Sequence, residues 1–244
     1  MTLKNEVKNI KRTIEKNFFH KDFTSISDIK NYQIEISKNP RPRLNLLITS
    51  MNSQDVYAGI KSAVDFFMKF KKFDIDLRII VMGKKIDESS LYQVPSFEFI
   101  KDYSIENDSE SRIICDLSKN RSPLFIRERD YFLSTMWYTA YNANNVLDEQ
   151  KRIFGKRMPM VYLVQDYEPG FYPWSSEYLL AESTYHLDNQ LVVFNSKYLK
   201  EFFDANGYRF ENSYYFDPVL NEKLGEILNS AELSNIERKN RILF

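Results

Sequence analysis

The chain has 244 residues, with 34 Lys plus Arg against 34 Asp plus Glu, so it has no net charge and none of the basic excess of a nucleic-acid binder. Its one cysteine, Cys115, excludes an intrachain disulfide framework and fits a reducing compartment. No run of about 18 apolar residues exists to span a membrane, and the N-terminus MTLKNEVKNIKRTIEK lacks the apolar core of a signal peptide. A chain of this length can bury roughly 70–75% of its unfolded surface, as one large α/β domain or two small ones.

Residues 1–18 read as a helix, because Val7, Ile10, Ile14 and Phe18 recur at spacings of three and four. The apolar stripe is narrow. It fits packing on this protein, or on a second copy as a homodimer, better than lying on a membrane surface. Residues 19–43 are mixed, and Pro40 and Pro42 close them as a linker. Residues 44–49 (LNLLIT) form the first core strand, and Gly59 opens or sits within a helix carrying Ile60, Ala63, Val64, Phe67, Met68 and Phe70. Strands follow at 75–82 and, shorter, at 97–100, with 84–94 a loop or short helix between them. Cys115 lies in RIICDL among aliphatics, as a buried inert thiol would. Residues 111–129 carry no clear periodicity, and Arg112, Arg121, Arg127 and Arg129 could reach an anionic group of a ligand but fit a solvated face better. Residues 130–135 (DYFLST) form a strand, followed at once by a helix running from about Met136 to Phe154. Residues 191–195 (LVVFN) form another strand, with Ser196 capping a helix to Ala205 that Gly207 ends. An edge strand at 212–216 and a helix at 219–228 follow.

This alternation predicts an α/β fold with a parallel sheet covered on both faces. The chain is organised around residues 160–185, MVYLVQDYEPGFYPWSSEYLLAESTY. A strand-forming run at 160–164 stops at QDYEPG, where Pro169 cannot donate to a ladder and Gly170 permits a positive φ. Ser175 or Ser176 then caps a helix. The loop therefore lies beyond the carboxyl end of a strand, where open α/β sheets bind ligands. Its two carboxylates, Asp166 and Glu168, can accept hydrogen bonds from hydroxyls. Its aromatics, Tyr167, Phe171, Tyr172 and Trp174, can cover the apolar faces of sugar rings. That set suits a carbohydrate better than a phosphate, although aromatics that only pack the loop and carboxylates that only cap amides would give the same pattern. Neither carboxylate has an evident apolar pocket to raise its pKa. Thr135, Trp137 and Tyr138 fall at the neighbouring strand end. There is no G-x-G-x-x-G, Walker motif, H-E-x-x-H or C-x-x-C, which disfavours dinucleotide, P-loop and metal sites. A Tyr-x-x-x-Lys helix pair is also missing, against a nucleotide-sugar epimerase or dehydrogenase. A glycosidase would need its two carboxyls about 5–10 Å apart across one sugar.

The segment VQDYEPGFYPWSSEYLLAEST resembles the central motif of the WsaF-type rhamnosyltransferases, GT-B enzymes that build rhamnose-containing bacterial surface glycans. Three further stretches match in the same order: RPRLNLLITSMNSQDVYAGIKSA, DYFLSTMWYTAYNA and VVFNSKYLKEFF. The resemblance implies a Rossmann-like acceptor-binding domain over 41–240, the N-terminal half of a GT-B fold, preceded by a helical arm and linker over 1–40. Residues 241–244 (RILF) would begin an absent C-terminal donor domain. A chain ending there should leave a cleft wall rich in apolar and aromatic groups, wider than the few hundred Å² normal for a monomer. The nucleotide sugar, dTDP-rhamnose by this resemblance, belongs mainly to the absent domain, so this chain would hold the glycan acceptor, need no cofactor and be inactive alone. The cytoplasmic face of the membrane is the implied location. Asp166 is the first candidate to accept a proton from, or orient, the attacking hydroxyl, with Glu168 the alternate. Gly59, Trp137, Tyr138, Tyr167, Tyr172, Trp174 and Asn195 are the expected acceptor contacts. A retaining front-face mechanism would need no base here and leave Asp166 to position the acceptor. The other reading is a non-catalytic glycan-binding or assembly module.

Overall fold

In the computed structural model, residues 26–55, 58–106, 110–119, 122–217 and 222–229 are described. The helix expected over 1–18, Arg121 and the strand start expected over 241–244 lie outside the described residues. The first long strand, β2 (Arg43–Ile48), leads into helix α1 (Ala58–Met68) and then β3 (Asp76–Val81). Two shorter strands, β4 (Glu98–Ile100) and β5 (Arg112–Asp116), lie beyond β3. The chain then returns to the other side of β2 as β7 (Asp130–Ser134). From there it builds outward through α2 (Trp137–Phe154), β8 (Met160–Val164), α3 (Ser176–Ser183), β9 (Gln190–Phe194), α4 (Lys197–Ala205) and β10 (Asn212–Tyr215). A last helix, α5, covers Glu222–Asn229.

The result is an eight-stranded sheet of order β10-β9-β8-β7-β2-β3-β5-β4, and every pairing in it is parallel. This is a Rossmann-like α/β fold. All six residues of β2 and of β3 are buried, as expected of parallel strands covered on both faces. Side chains still alternate. Leu46 and Ile48 join Ala63 and Phe67 of α1 on one face, while Leu47 joins Ala140, Ala143 and Leu147 of α2 on the other. The order of strand addition reverses between β2 and β7, which makes their carboxyl ends the topological switch point.

Three expectations need correction. Residues 26–40 are not a bare linker: β1 (Ile34–Ile36) pairs in parallel with β6 (Leu124–Ile126), and the Lys30 N–H donates to Asn142 Oδ1 at 2.7 Å. Residues 111–129 contain β5, inserted between β3 and β4. Its Ile113, Ile114 and Cys115 are all buried, so the run has no alternation to read. Arg127 is no solvated residue: it is 1% exposed and pairs with Asp76 at 2.6 Å. Burial pushes the Cys115 thiol up to about 11, as an inert thiol requires.

Arg127 belongs to a charged cluster at the amino end of the sheet. Arg43, the first residue of β2, donates through Nε and Nη2 to the two oxygens of Asp130, the first of β7, each at 2.8 Å. Arg78 of β3 donates to Asn45 Oδ1 at 2.6 Å, the Tyr103 hydroxyl at 2.6 Å and the Phe125 carbonyl at 2.8 Å. It also lies 3.6 Å from Asp130. Burial alone would raise the Asp130 carboxyl, but the charge of Arg43 and its hydrogen bonds outweigh that and hold it below its usual value. Gln150 of α2 donates to the Arg127 and Asp130 carbonyls, at 3.0 Å each. Bidentate arginine pairs of this kind fix the register of the strands that carry them.

Candidate functional site

At the opposite, carboxyl end of the sheet, four adjacent strands each run out into a polar residue. Thr49 follows β2, Thr135 follows β7, Gln165 follows β8 and Asn195 follows β9. All four line one cleft of about 490 Å³, together with Gly59, Ile60 and Ser62 of α1, Met136, Tyr138, Asp166, Glu168 and Phe171. The volume lies in the range of small-ligand sites. The hydroxyl pair Thr49–Tyr138 closes the floor at 2.5 Å, and the Thr135 hydroxyl donates to the Leu47 carbonyl at 3.2 Å. Asn195 donates through Nδ2 to the Gln165 carbonyl at 3.2 Å, so the ends of β8 and β9 are held together. Ser196 caps α4 by accepting from the Leu199 N–H. At Gly59 an added Cβ would stand 3.4 Å from the Gln165 amide oxygen. The missing side chain thus keeps open the wall between α1 and β8.

The two loop carboxylates stand in different surroundings. Asp166 is exposed, and its Oδ1 accepts from the Tyr167 N–H at 2.8 Å. Tyr185 fixes the turn by accepting from the Glu168 N–H at 3.2 Å and donating to the Asp166 carbonyl at 3.3 Å. Glu168 is 1% exposed. Its Oε2 accepts from the Trp137 N–H at 2.6 Å, so it satisfies a free amide at the start of α2. Its Oε1 lies 3.5 Å from the Tyr162 hydroxyl. Burial dominates its titration. The negative charge of Asp166 adds to it, the Trp137 and Tyr162 hydrogen bonds oppose it, and the carboxyl is pushed up to about 8. The expectation that neither carboxylate has an apolar pocket is therefore wrong for Glu168. The pocket is built by Trp137, Tyr162 and Tyr185, residues distant in sequence from Glu168 or hidden inside strand and helix.

The predicted aromatic contacts are placed differently, and Trp137, Tyr167, Tyr172 and Trp174 are not among the residues that line the cleft. Tyr138 lines the cleft. Trp137 is 1% exposed and lies beneath it, its indole N–H donating to the Tyr172 hydroxyl at 2.9 Å. It therefore steadies Tyr172 and has no free face for a ligand. Tyr167 turns away from the cleft into a cluster with Tyr185, Phe202, Phe203 and Tyr208, its hydroxyl 3.2 Å from Glu182. Trp174 is 78% exposed and packs on Tyr178 with ring centroids 5.1 Å apart. It does not line the cleft, whereas Phe171, three residues before it and 55% exposed, does. The cleft thus gathers Gly59, Tyr138, Asp166, Glu168 and Asn195 from the expected set. Thr49, Ser62 and Gln165 were missed. Thr49, Gln165 and Asn195 share one signal in the sequence: each is the first polar residue after an apolar run.

The family model described as WsaF, N-terminal domain matches residues 43–197. The chain belongs to the WsaF N-terminal domain family. The match starts at the first residue of β2 and ends at the first residue of α4, so it spans every strand end that meets the cleft. The WsaF N-terminal domain is glycosyltransferase-related. No curated protein matches the chain. Among the described residues no helix is long and apolar enough to cross a membrane.

Proposed function

We propose that this WsaF-family domain binds the glycan acceptor of a glycosyltransferase, with a rhamnosyl group delivered from dTDP-rhamnose held mainly by another domain. The observation that supports this reading is the switch-point cleft itself. Its rim offers hydroxyl and amide groups from four strand ends, one exposed carboxylate and the exposed ring of Phe171. Neutral donors and acceptors match the hydroxyls of a sugar, and an aromatic face covers its C–H surface.

In the transfer, the acceptor hydroxyl forms a bond to the anomeric carbon of the donor while the bond from that carbon to the diphosphate breaks. The hydroxyl must give up its proton. In this reading Asp166 receives or orients it, which is supported by its position on the cleft lining and by the one backbone bond that its Oδ1 accepts. A positioned base contributes typically about 10²–10⁴-fold. Glu168, whose carboxyl burial pushes up to about 8 and which accepts from the first N–H of α2, is a positioning residue in this scheme. The reading locates the work at the inner face of the cell membrane, in surface polysaccharide synthesis, with 41–240 as the acceptor domain.

The test is a titration of short rhamnose oligosaccharides into the 244-residue protein, followed by tryptophan fluorescence, with dTDP-rhamnose in parallel. Trp174, exposed beside the cleft loop, is the expected reporter. Saturable change with the oligosaccharide and none with the nucleotide sugar is the expected result. A response to the nucleotide sugar alone would assign the cleft to the donor.

A further inference from the structure

A second crevice, of about 600 Å³, opens on the same carboxyl rim of the sheet, at the ends of β3, β4 and β5. It is lined by Lys85, Lys101 and Lys119, by Asp87, Glu88 and Asp116, and by the apolar Ile86 and Phe99. Three ammonium groups meet three carboxylates, so the crevice has no surplus charge to attract an anion. Part of the set is already engaged: Lys101 pairs with Glu88 at 2.8 Å, and Asp116 accepts from the Ile86 N–H at 3.0 Å and the Ser118 hydroxyl at 2.6 Å. Asp87 accepts from the Ser89 N–H at 3.0 Å and the Ser89 hydroxyl at 2.8 Å. What remains is Lys85 and Lys119 as donors and the spare lone pairs of the three carboxylates as acceptors, beside one aromatic ring, a lining that the hydroxyls of a neutral polyol satisfy.

The crevice shares a wall with the switch-point cleft. The carbonyl of Thr49, a cleft residue, accepts from the Gly83 and Lys84 N–H groups at 2.9 Å each. Asn52 then donates to the Lys85 carbonyl at 3.0 Å and accepts from the Asp87 N–H at 2.7 Å. Lys84 closes on Asp55 at 2.6 Å. The segment after β2 thus separates the two openings, with the cleft on one side and Lys85–Glu88 on the other.

Resting on the acceptor reading above, we propose that this crevice is a distal glycan subsite. It holds sugar residues of the acceptor remote from the reacting end, and makes the substrate an oligosaccharide chain rather than a single sugar. The experiment is calorimetric titration of a rhamnose disaccharide and a tetrasaccharide into the full chain, its K85A/K101A variant and its S122W variant, which fills the crevice. Both substitutions are on the crevice surface, and thermal unfolding confirms that each variant is folded. The tetrasaccharide is expected to bind the wild type roughly tenfold tighter than the disaccharide, equivalent to about 1.4 kcal/mol. Both variants should lose that gain and keep wild-type disaccharide binding. A wild type without length dependence, or a gain untouched by both variants, overturns the distal subsite and leaves the cleft reading standing. Failure of both sugars to bind sinks the acceptor reading, and this inference with it.

Discussion

The two ends of the sheet treat buried charge in opposite ways. At the amino end, Asp130 is fully buried but meets Arg43 through two 2.8 Å hydrogen bonds, and it titrates below its usual value. At the carboxyl end, Glu168 is equally buried but meets only an amide N–H and a distant tyrosine hydroxyl, and it is pushed up to about 8. Burial acts on both. The difference is the presence of an opposite charge. One end is a closed lock that holds three strands in register. The other is a cleft whose buried carboxyl group has no cation within hydrogen-bond reach.

Breaking the lock should have the largest effect. Asp130→Ala leaves Arg43 and Arg78 buried with no carboxylate between them, and removing one partner of a buried pair typically costs about 3–5 kcal/mol. Urea unfolding of the variant should show that loss, while ligand affinity of the folded fraction stays unchanged. A loss below about 1 kcal/mol would mean that the cluster is not a lock. Next comes Glu168→Gln, which keeps an acceptor for the Trp137 N–H but cannot ionise. In the unfolded chain a glutamate releases its proton near 4.5, and in the folded chain Glu168 holds it to about 8. The folded state therefore binds the extra proton across that window, and stability falls as pH rises through it. The wild type should lose a few kcal/mol between pH 5 and 8.5, at about 1.4 kcal/mol per tenfold in proton affinity. The Gln variant should lose much less, and parallel curves for the two proteins would remove Glu168 as the buried acid.

A smaller effect is expected at the wall between the cleft and the second crevice. At Gly83 an added Cβ would lie 2.6 Å from the Thr49 carbonyl oxygen and closer still to its methyl group. Gly83→Ala must therefore push the ends of β2 and β3 apart. Overpacking of this kind costs typically about 1–3 kcal/mol. Because Thr49 lines the cleft, the same variant should also weaken oligosaccharide binding. Loss of stability with unchanged binding would show that the cleft does not depend on that wall.

The sheet was legible because its long strands are apolar runs ended by glycine, proline or a polar residue, as at LNLLIT, DYFLST and LVVFN. β5 was not, because RIICD has both faces buried and lies between charged and polar segments without turn punctuation. β1 was not, because Ile34–Ile36 is three residues long and owes its existence to β6. In the site, Asp166 and Asn195 could be placed from their position just past a strand end, which is a local property. The burial of Glu168 could not, since Trp137 and Tyr185 create it from another strand end and another helix end. Aromatic residues were the least legible. Phe171, Tyr167 and Trp174 belong to one short loop, yet face the cleft, the core cluster and solvent respectively. One extra residue in a loop decides which, and no periodicity records it.

Asp166→Asn should change stability least, and for that reason it tests the cleft most directly. Asp166 is exposed, and the bond its Oδ1 accepts from the Tyr167 N–H can be kept by an amide oxygen. Surface substitutions of this kind stay within about 0.5 kcal/mol. The Tyr185 bonds that fix the turn go to backbone atoms of residues 166 and 168, so the substitution leaves them in place. Any change in turnover then reports chemistry and not folding. In a full-length homologue, a base at this position predicts a fall of about 10²–10⁴-fold in kcat at saturating acceptor. A residue that only orients the acceptor predicts a raised KM with kcat nearly preserved. If both constants are unchanged, the acceptor hydroxyl does not meet Asp166. The cleft then binds its glycan through the strand-end hydroxyl and amide groups alone.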